Sequence, residues 1–185
     1  MAENNIAGTV YESLSAATDS IAKTMEQSAA ITAEIRSGKH SRKELERNYY
    51  PKSTELTLKI RHDAEDAIRN AHRIVAEYRA ECEARNNTLD SSMINDDAKL
   101  LQAGVNLTEK DIDDLLERNT DNPTMTQIIK RYAKEHKIRI SGRHIDRLQE
   151  ENRMCDDVDF VISMYQRWIR HPKGKEMLDK FFSFE

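Results

Sequence analysis

Glycine and proline limit this chain more than any other residues do. Its five glycines are Gly8, Gly38, Gly104, Gly142 and Gly174, and its three prolines are Pro51, Pro123 and Pro172. Each falls where apolar periodicity also breaks, as expected when glycine closes helices and proline opens them. The stretches between them carry apolar residues three or four positions apart, which is helical spacing. The sequence therefore predicts an all-α fold with no β-sheet.

A first helix is expected from about Val10 to Ser37, with Val10, Leu14, Ala17, Ile21, Met25, Ile31 and Ile35 as its stripe. Gly38 then offers the left-handed position that ends a helix. Ser41-Arg42-Lys43-Glu44 has the capping-box pattern, serine accepting from the Glu44 amide while the glutamate reaches back. It opens a short turn expected to end near Tyr49-Tyr50, because the residue before Pro51 is pushed out of helical dihedrals. Pro51 starts the longest helix, from Lys52 to about Arg85, which spans about 50 Å at 1.5 Å per residue.

The seam of that helix, Ile60, Ala64, Ala67, Ala71, Ile74, Tyr78 and Cys82, has nearly heptad spacing. Three consecutive seam positions are alanine, which permits close approach but buries little area. Charged residues make up 34% of the chain, aromatics 6%, and the mean hydropathy is −0.80. That is too polar for a large compact core, while the regular apolar spacing argues against disorder. The long helix needs the first folded back on it as an antiparallel hairpin, or a second chain.

Residues 86–92 are polar turn formers without periodicity, and mark a linker. Beyond it the helices shorten: Asp96 to Ala103; one capped by Thr108 with Asp111, with Leu107 and Ile112 as a hydrophobic staple; one opened by Asn122-Pro123; one from Ser141 or Arg143 to Arg170; and one from Pro172. The predicted organisation is a long antiparallel helical hairpin over residues 1–89, followed by a small helical bundle over 90–185.

Several chemistries are unsupported. No two glycines lie within six residues of each other, so neither phosphate-loop pattern can exist, and the serine-hydrolase elbow is absent. The six histidines include no i, i+4 pair, and Cys82 and Cys155 stand alone, as reduced thiols would. Asp111-Ile112-Asp113-Asp114 lacks the glycine and closing glutamate of a calcium loop, and suits a helix start. No catalytic residues, metal or cofactor are expected. No apolar run is long enough to span a membrane and the first residues lack a signal peptide, so a cytoplasmic protein is expected.

Charge is segregated. Residues 90–122 hold nine acidic and three basic residues, and residues 123–147 hold seven basic and two acidic. Lys130, Arg131, Lys134, Lys137, Arg139, Arg143 and Arg147 form the basic set, a candidate phosphate-contacting surface for a nucleic-acid-binding regulator. Solvated faces, or pairing with the acidic block, account for the same residues, and the net charge of −4 gives no global argument for nucleic acid.

Asp97-Ala98-Lys99-Leu100-Leu101, Leu107-Thr108, Asn122-Pro123-Thr124-Met125, Tyr132-Ala133 and His136 resemble the pattern of helical proteins encoded in tailed-phage and prophage clusters of Gram-positive bacteria. The Tyr50-Pro51 junction and the Ala-Glu-Tyr-Arg-Ala run at Ala76–Ala80 are similar too. The resemblance covers about residues 45–140 and brings no catalytic residues. It implies a structural or assembly role, in the host cytoplasm or the virion.

The expected function is therefore protein contact through helices. Ile60, Ala64, Ala67, Ala71, Ile74 and Tyr78 are the expected interaction seam, with self-association through the N-terminal hairpin; the competing cover is the chain's own C-terminal helices folded back on the seam. On this reading an aspartate at Ile60 or Ile74 should cost several kcal/mol, and a chain ended at Asn87 should stay helical and associated.

Overall fold

Asn5 opens the first helix: its side chain accepts from the Gly8 amide at 3.1 Å. In the computed structural model, which describes residues 5–103, 105–141 and 147–183 (but not the Arg147 side chain), α1 runs Ile6–Arg36. Gly8 is thus inside the first turn, because an N-cap side chain outweighs one glycine's helix penalty. Gly38 takes φ +70°, as expected of a helix-ending glycine. The Ser41–Glu44 capping box is present at the start of α2, Arg42–Glu44.

The expected break before Pro51 does not occur. A π-helical turn, Leu45–Tyr49, joins α2 to α3, Tyr50–Asn87, and the Tyr50 amide donates to the Leu45 carbonyl. The wider turn lets the chain absorb a residue with no amide proton and a ring that crowds the preceding turn. Tyr50 itself keeps helical dihedrals, φ −64° and ψ −44°.

Among the described residues a 3-10 turn, Ser91–Met93, and five more α-helices follow: α4 Asp97–Gln102, α5 Glu109–Arg118, α6 Pro123–Glu135, α7 Arg147–Tyr165 and α8 Gly174–Phe182. No strand occurs among the described residues. The fold is all-α, a long antiparallel hairpin with a small bundle. α7 stops short of Arg170, and α8 starts at Gly174 rather than Pro172. A Cβ on Gly174 would lie 2.8 Å from the Trp168 carbonyl oxygen, so close backbone approach fixes glycine at this helix start. Gly104 and Gly142, expected as breaks, lie outside the described residues.

Contacts gather the chain into two compact units. One holds Met1–Ala76 with Asp156–Glu185, and the other holds Glu77–Cys155. These limits differ from the boundary expected at 89/90, because the last thirty or so residues pack on the hairpin, and the 86–92 linker lies inside the second unit.

In the first unit, α1 and α3 run antiparallel: Asn70 donates to Ser13 at 3.0 Å, while Met25 and Ile60 line one groove. α1 buries Ile6, Val10, Leu14, Thr18, Ile21 and Thr24. Two threonines thus replace the expected Ala17 and Met25. Each satisfies its hydroxyl within the helix, Thr18 on the Leu14 carbonyl and Thr24 on that of Ser20, so burial leaves no orphan. Tyr165 is fully buried against Thr18, with the two hydroxyls 2.7 Å apart. Since Thr18 donates to Leu14, Tyr165 must be the donor in that pair.

The second unit is built on Ala98, Leu101, Ile112, Leu115, Leu116, Met125, Ile129 and Ala133. Its two capping devices match expectation: Thr108 with Asp111 at α5, and Asn122 accepting from the Met125 amide at α6. Asn119 joins the three helices. Its amide nitrogen donates to Asp97 and to the Leu115 carbonyl, both at 2.8 Å, and its oxygen accepts from Asn95 at 2.7 Å.

Candidate interaction surface

Close packing on α3 follows small residues. Ala64, Ala67 and Ala71 are all buried, as are Leu56, Ile68 and Val75. Ile60, Ile74 and Tyr78 are only half-buried. The expected seam and the observed one therefore diverge along the helix. A straight helix drifts about 20° per heptad, enough to turn the inward position from Ile74 to Val75. The α3 seam is broader than the heptad spacing allowed, and Leu56, Ile68 and Val75 are its overlooked members.

The first unit's own C-terminal segment covers the part of the hairpin nearest the chain ends. Tyr11 donates to Asp179 at 2.8 Å, and its ring lies 5.9 Å from that of Phe182. Lys175 donates to Ser15 and lies 3.6 Å from Asp19. On the α3 side, His72 meets Asp159 at 2.9 Å. Val158, Ile162, Tyr165, Ile169 and Leu178 are buried in this unit. Cover that the sequence reading sought from a second chain is here supplied within the same chain.

That cover involves α1 only as far as about Asp19 in the polar contacts above, and the tip of the hairpin differs. After Thr24, α1 continues for twelve residues to Arg36 without another buried residue. On the returning helix of the hairpin, Leu56 is the one buried residue between Arg42 and Asp63. Met25, Ile31, Ile35, Leu45, Tyr49 and Ile60 are half-exposed, and Leu58 is 59% exposed. A shallow groove runs along this tip, lined by Met25, Ser28, Ala29, Thr32, Ala33 and Arg36 of α1 above Ile60 of α3. At the bend, the His40 ring lies tilted against that of Tyr49 with centroids 4.4 Å apart and meets Glu34 at 2.9 Å. The His40 contact holds the Glu34 carboxyl below its usual range. The tip is helical on both sides of the bend, with little core of its own.

The basic candidates lie on α6 and just beyond it. Met125, Ile129 and Ala133 face the core, while Arg131, Lys134, Lys137 and Arg139 are exposed and Lys130 is half-buried. His136 stacks on Tyr132, with centroids 4.1 Å apart. Arg143 and the Arg147 side chain fall outside the described residues. In the acidic block, Asp97 lies 3.3 Å from Arg118, and Asp113 accepts from the Ser141 amide at 3.0 Å.

Lys137 has φ 57°, the left-handed position usually given to glycine. The Ile138 amide closes back on the Ala133 carbonyl at 2.8 Å, the longer bond of a helix-ending Schellman turn. A non-glycine residue there costs about 1 kcal/mol. Lys137→Gly should therefore raise the unfolding free energy by about that amount, read as a higher midpoint in a denaturant melt. Lys137→Ala, which keeps the Cβ, should give no such gain.

Cys82 is the nearest approach to a reactive group. Arg85 donates to its sulfur at 3.0 Å and lies 3.3 Å from Glu151. Burial nevertheless pushes the thiol up, with Glu151 adding to the shift and Arg85 opposing it. A protonated, buried thiol is a poor nucleophile. The neighbouring cavity, bordered by Cys82, Arg85, Thr120, Thr126 and Glu151, holds about 90 Å³. Small-molecule sites run to about 300–1,000 Å³. Among the described residues no group of three or more His, Cys, Asp or Glu side chains is placed to hold a metal, and no helix is long and apolar enough to cross a membrane. No protein-family model matches the chain, and no curated protein or solved structure shows significant similarity to it.

Proposed function

We propose that this protein works by helix–helix contact with other protein chains, without catalysis, and that the hairpin tip over residues 22–60 is its contact surface. One observation carries this reading: the hairpin extends well past its own core. Ordering a residue costs about 1–2 kcal/mol of backbone entropy, and burial that could offset it nearly stops after Thr24 on α1. Isolated helices of this length are marginal in water, and most helical stability comes from packing an apolar face. A partner laid along the groove would supply that packing.

The partner is most simply the protein itself. The pattern resemblance of residues 45–140 to helical proteins of tailed phages and prophages is the ground on which we place such contacts in a phage particle or in its assembly, in the host cytoplasm or the virion. The competing reading is a nucleic-acid-binding regulator using residues 123–147, favoured by the exposure of Arg131, Lys134, Lys137 and Arg139. It requires affinity that falls steeply with salt, with a log–log slope of about −3.6 for four phosphate contacts.

Hydrogen exchange tests the contact reading. Amides of residues 22–60 should become more protected as protein concentration rises from the nanomolar to the micromolar range, while those of α5 and α6 stay constant. Fast exchange at the tip at every concentration would contradict it.

A further inference from the structure

We infer that the occupant of the tip groove is a second copy of the same hairpin, with its α1 laid antiparallel on the first; this rests on the reading that the tip is the contact surface. Met25, Ser28, Ala29, Thr32, Ala33 and Arg36 are spaced three and four apart in two adjacent rows, and so form one stripe on α1. Reversed end for end, the stripe matches itself: Met25 falls opposite Arg36, Ser28 opposite Ala33, and Ala29 opposite Thr32. A two-fold axis between Ala30 and Ile31 generates all three pairs, the isologous arrangement in which each copy gives and receives the same contacts.

Size and charge both favour this orientation. The four central positions are small, which lets two helix axes approach to about 8 Å, the near end of the usual range. The long side chains sit at the two ends, where the Met25 stem can lie along the aliphatic part of Arg36. The same register brings the Arg36 guanidinium beside Glu26 of the other copy, the residue next to Met25. A parallel arrangement would instead set Arg36 against Arg36, a like-charge contact, and leave Glu26 far from either guanidinium. Ile60 of α3 floors the groove and gives the incoming helix an apolar surface.

Cysteine cross-linking of the full chain tests the register. The native thiols Cys82 and Cys155 are buried, so background is low. Met25→Cys and Arg36→Cys are made separately, then mixed and mildly oxidised. In the antiparallel register these two positions oppose each other within disulfide reach, about 4.4–6.8 Å between Cα atoms, whereas 25 to 25 is offset along the axis by about 16.5 Å, well beyond it. The mixture should give at least five times more disulfide-linked dimer than either variant alone. Efficient linking of Met25→Cys by itself would mean a parallel pair and overturn the proposal. No linking in the mixture, with a native-mass dimer that Ala29→Glu dissolves, would overturn the antiparallel register while leaving the tip as the contact surface. No linking and a monomeric native mass would overturn both.

Discussion

Ala71→Asp should unfold the hairpin unit, or leave it with a midpoint far below that of the parent chain. Ala71 is 0% exposed on α3, in a seam with buried Ala64, Ala67, Ile68 and Val75. An unpaired buried charge costs several kcal/mol, against a total stability of about 5–15 kcal/mol for a typical domain. Ile74→Asp should be much milder, because Ile74 is only half-buried and its aspartate can turn to water. Thermal melts followed by circular dichroism compare the two. Equal losses at both positions would mean that Ile74, not Val75, faces inward, as the heptad spacing first suggested.

Ending the chain at Tyr165 should be as severe. It removes Ile169 and Leu178, both nearly or fully buried, and with them the contacts that Asp179, Lys175 and Phe182 make on α1. Each large buried side chain contributes about 1.5–3 kcal/mol, and Val10 and Leu14, both 0% exposed in the intact chain, face the lost segment's unit. A chain ended earlier, at Asn87, loses Val158, Ile162 and Tyr165 as well. Against the stable, associated piece expected from the sequence, the buried C-terminal cover argues that such a piece should lose helicity or aggregate. A soluble helical fragment with a sharp melt would show that the hairpin does not depend on its C-terminal cover.

What could be read from sequence was local. Both capping boxes, the Asn122-Pro123 start and the left-handed Gly38 depend on residues within four positions of one another, and all are present. The Pro51 junction was misread because a π-turn removes the clash on which the expected break rested. Thr18 and Thr24 were overlooked because hydroxyls count as polar in a periodicity, although a helix can satisfy them with its own carbonyls. The C-terminal cover had no local signal at all. Tyr165 meets Thr18 and Asp179 meets Tyr11 across about 150 residues of chain or more, and nothing in either stripe names the other as its partner. The same separation explains why alanines 64, 67 and 71 pointed to a second chain when the same chain supplied the packing. The half-exposed tip became visible only once it was known which part of the hairpin was already covered.

Sedimentation of the full-length protein across about 1–100 µM tests self-association at the tip most directly, with Ala29→Glu run alongside. Ala29 is exposed and glutamate is a good helix former, so the variant should keep its helicity and melting behaviour. In a dimer the same glutamates would be buried near the two-fold axis, a cost of about 3–5 kcal/mol for unpaired charges, or at least a hundredfold in dissociation constant. The account predicts a dimer for the parent chain and a folded monomer for Ala29→Glu over the same range. A parent chain that sediments as a monomer throughout, indistinguishable from the variant, would contradict it.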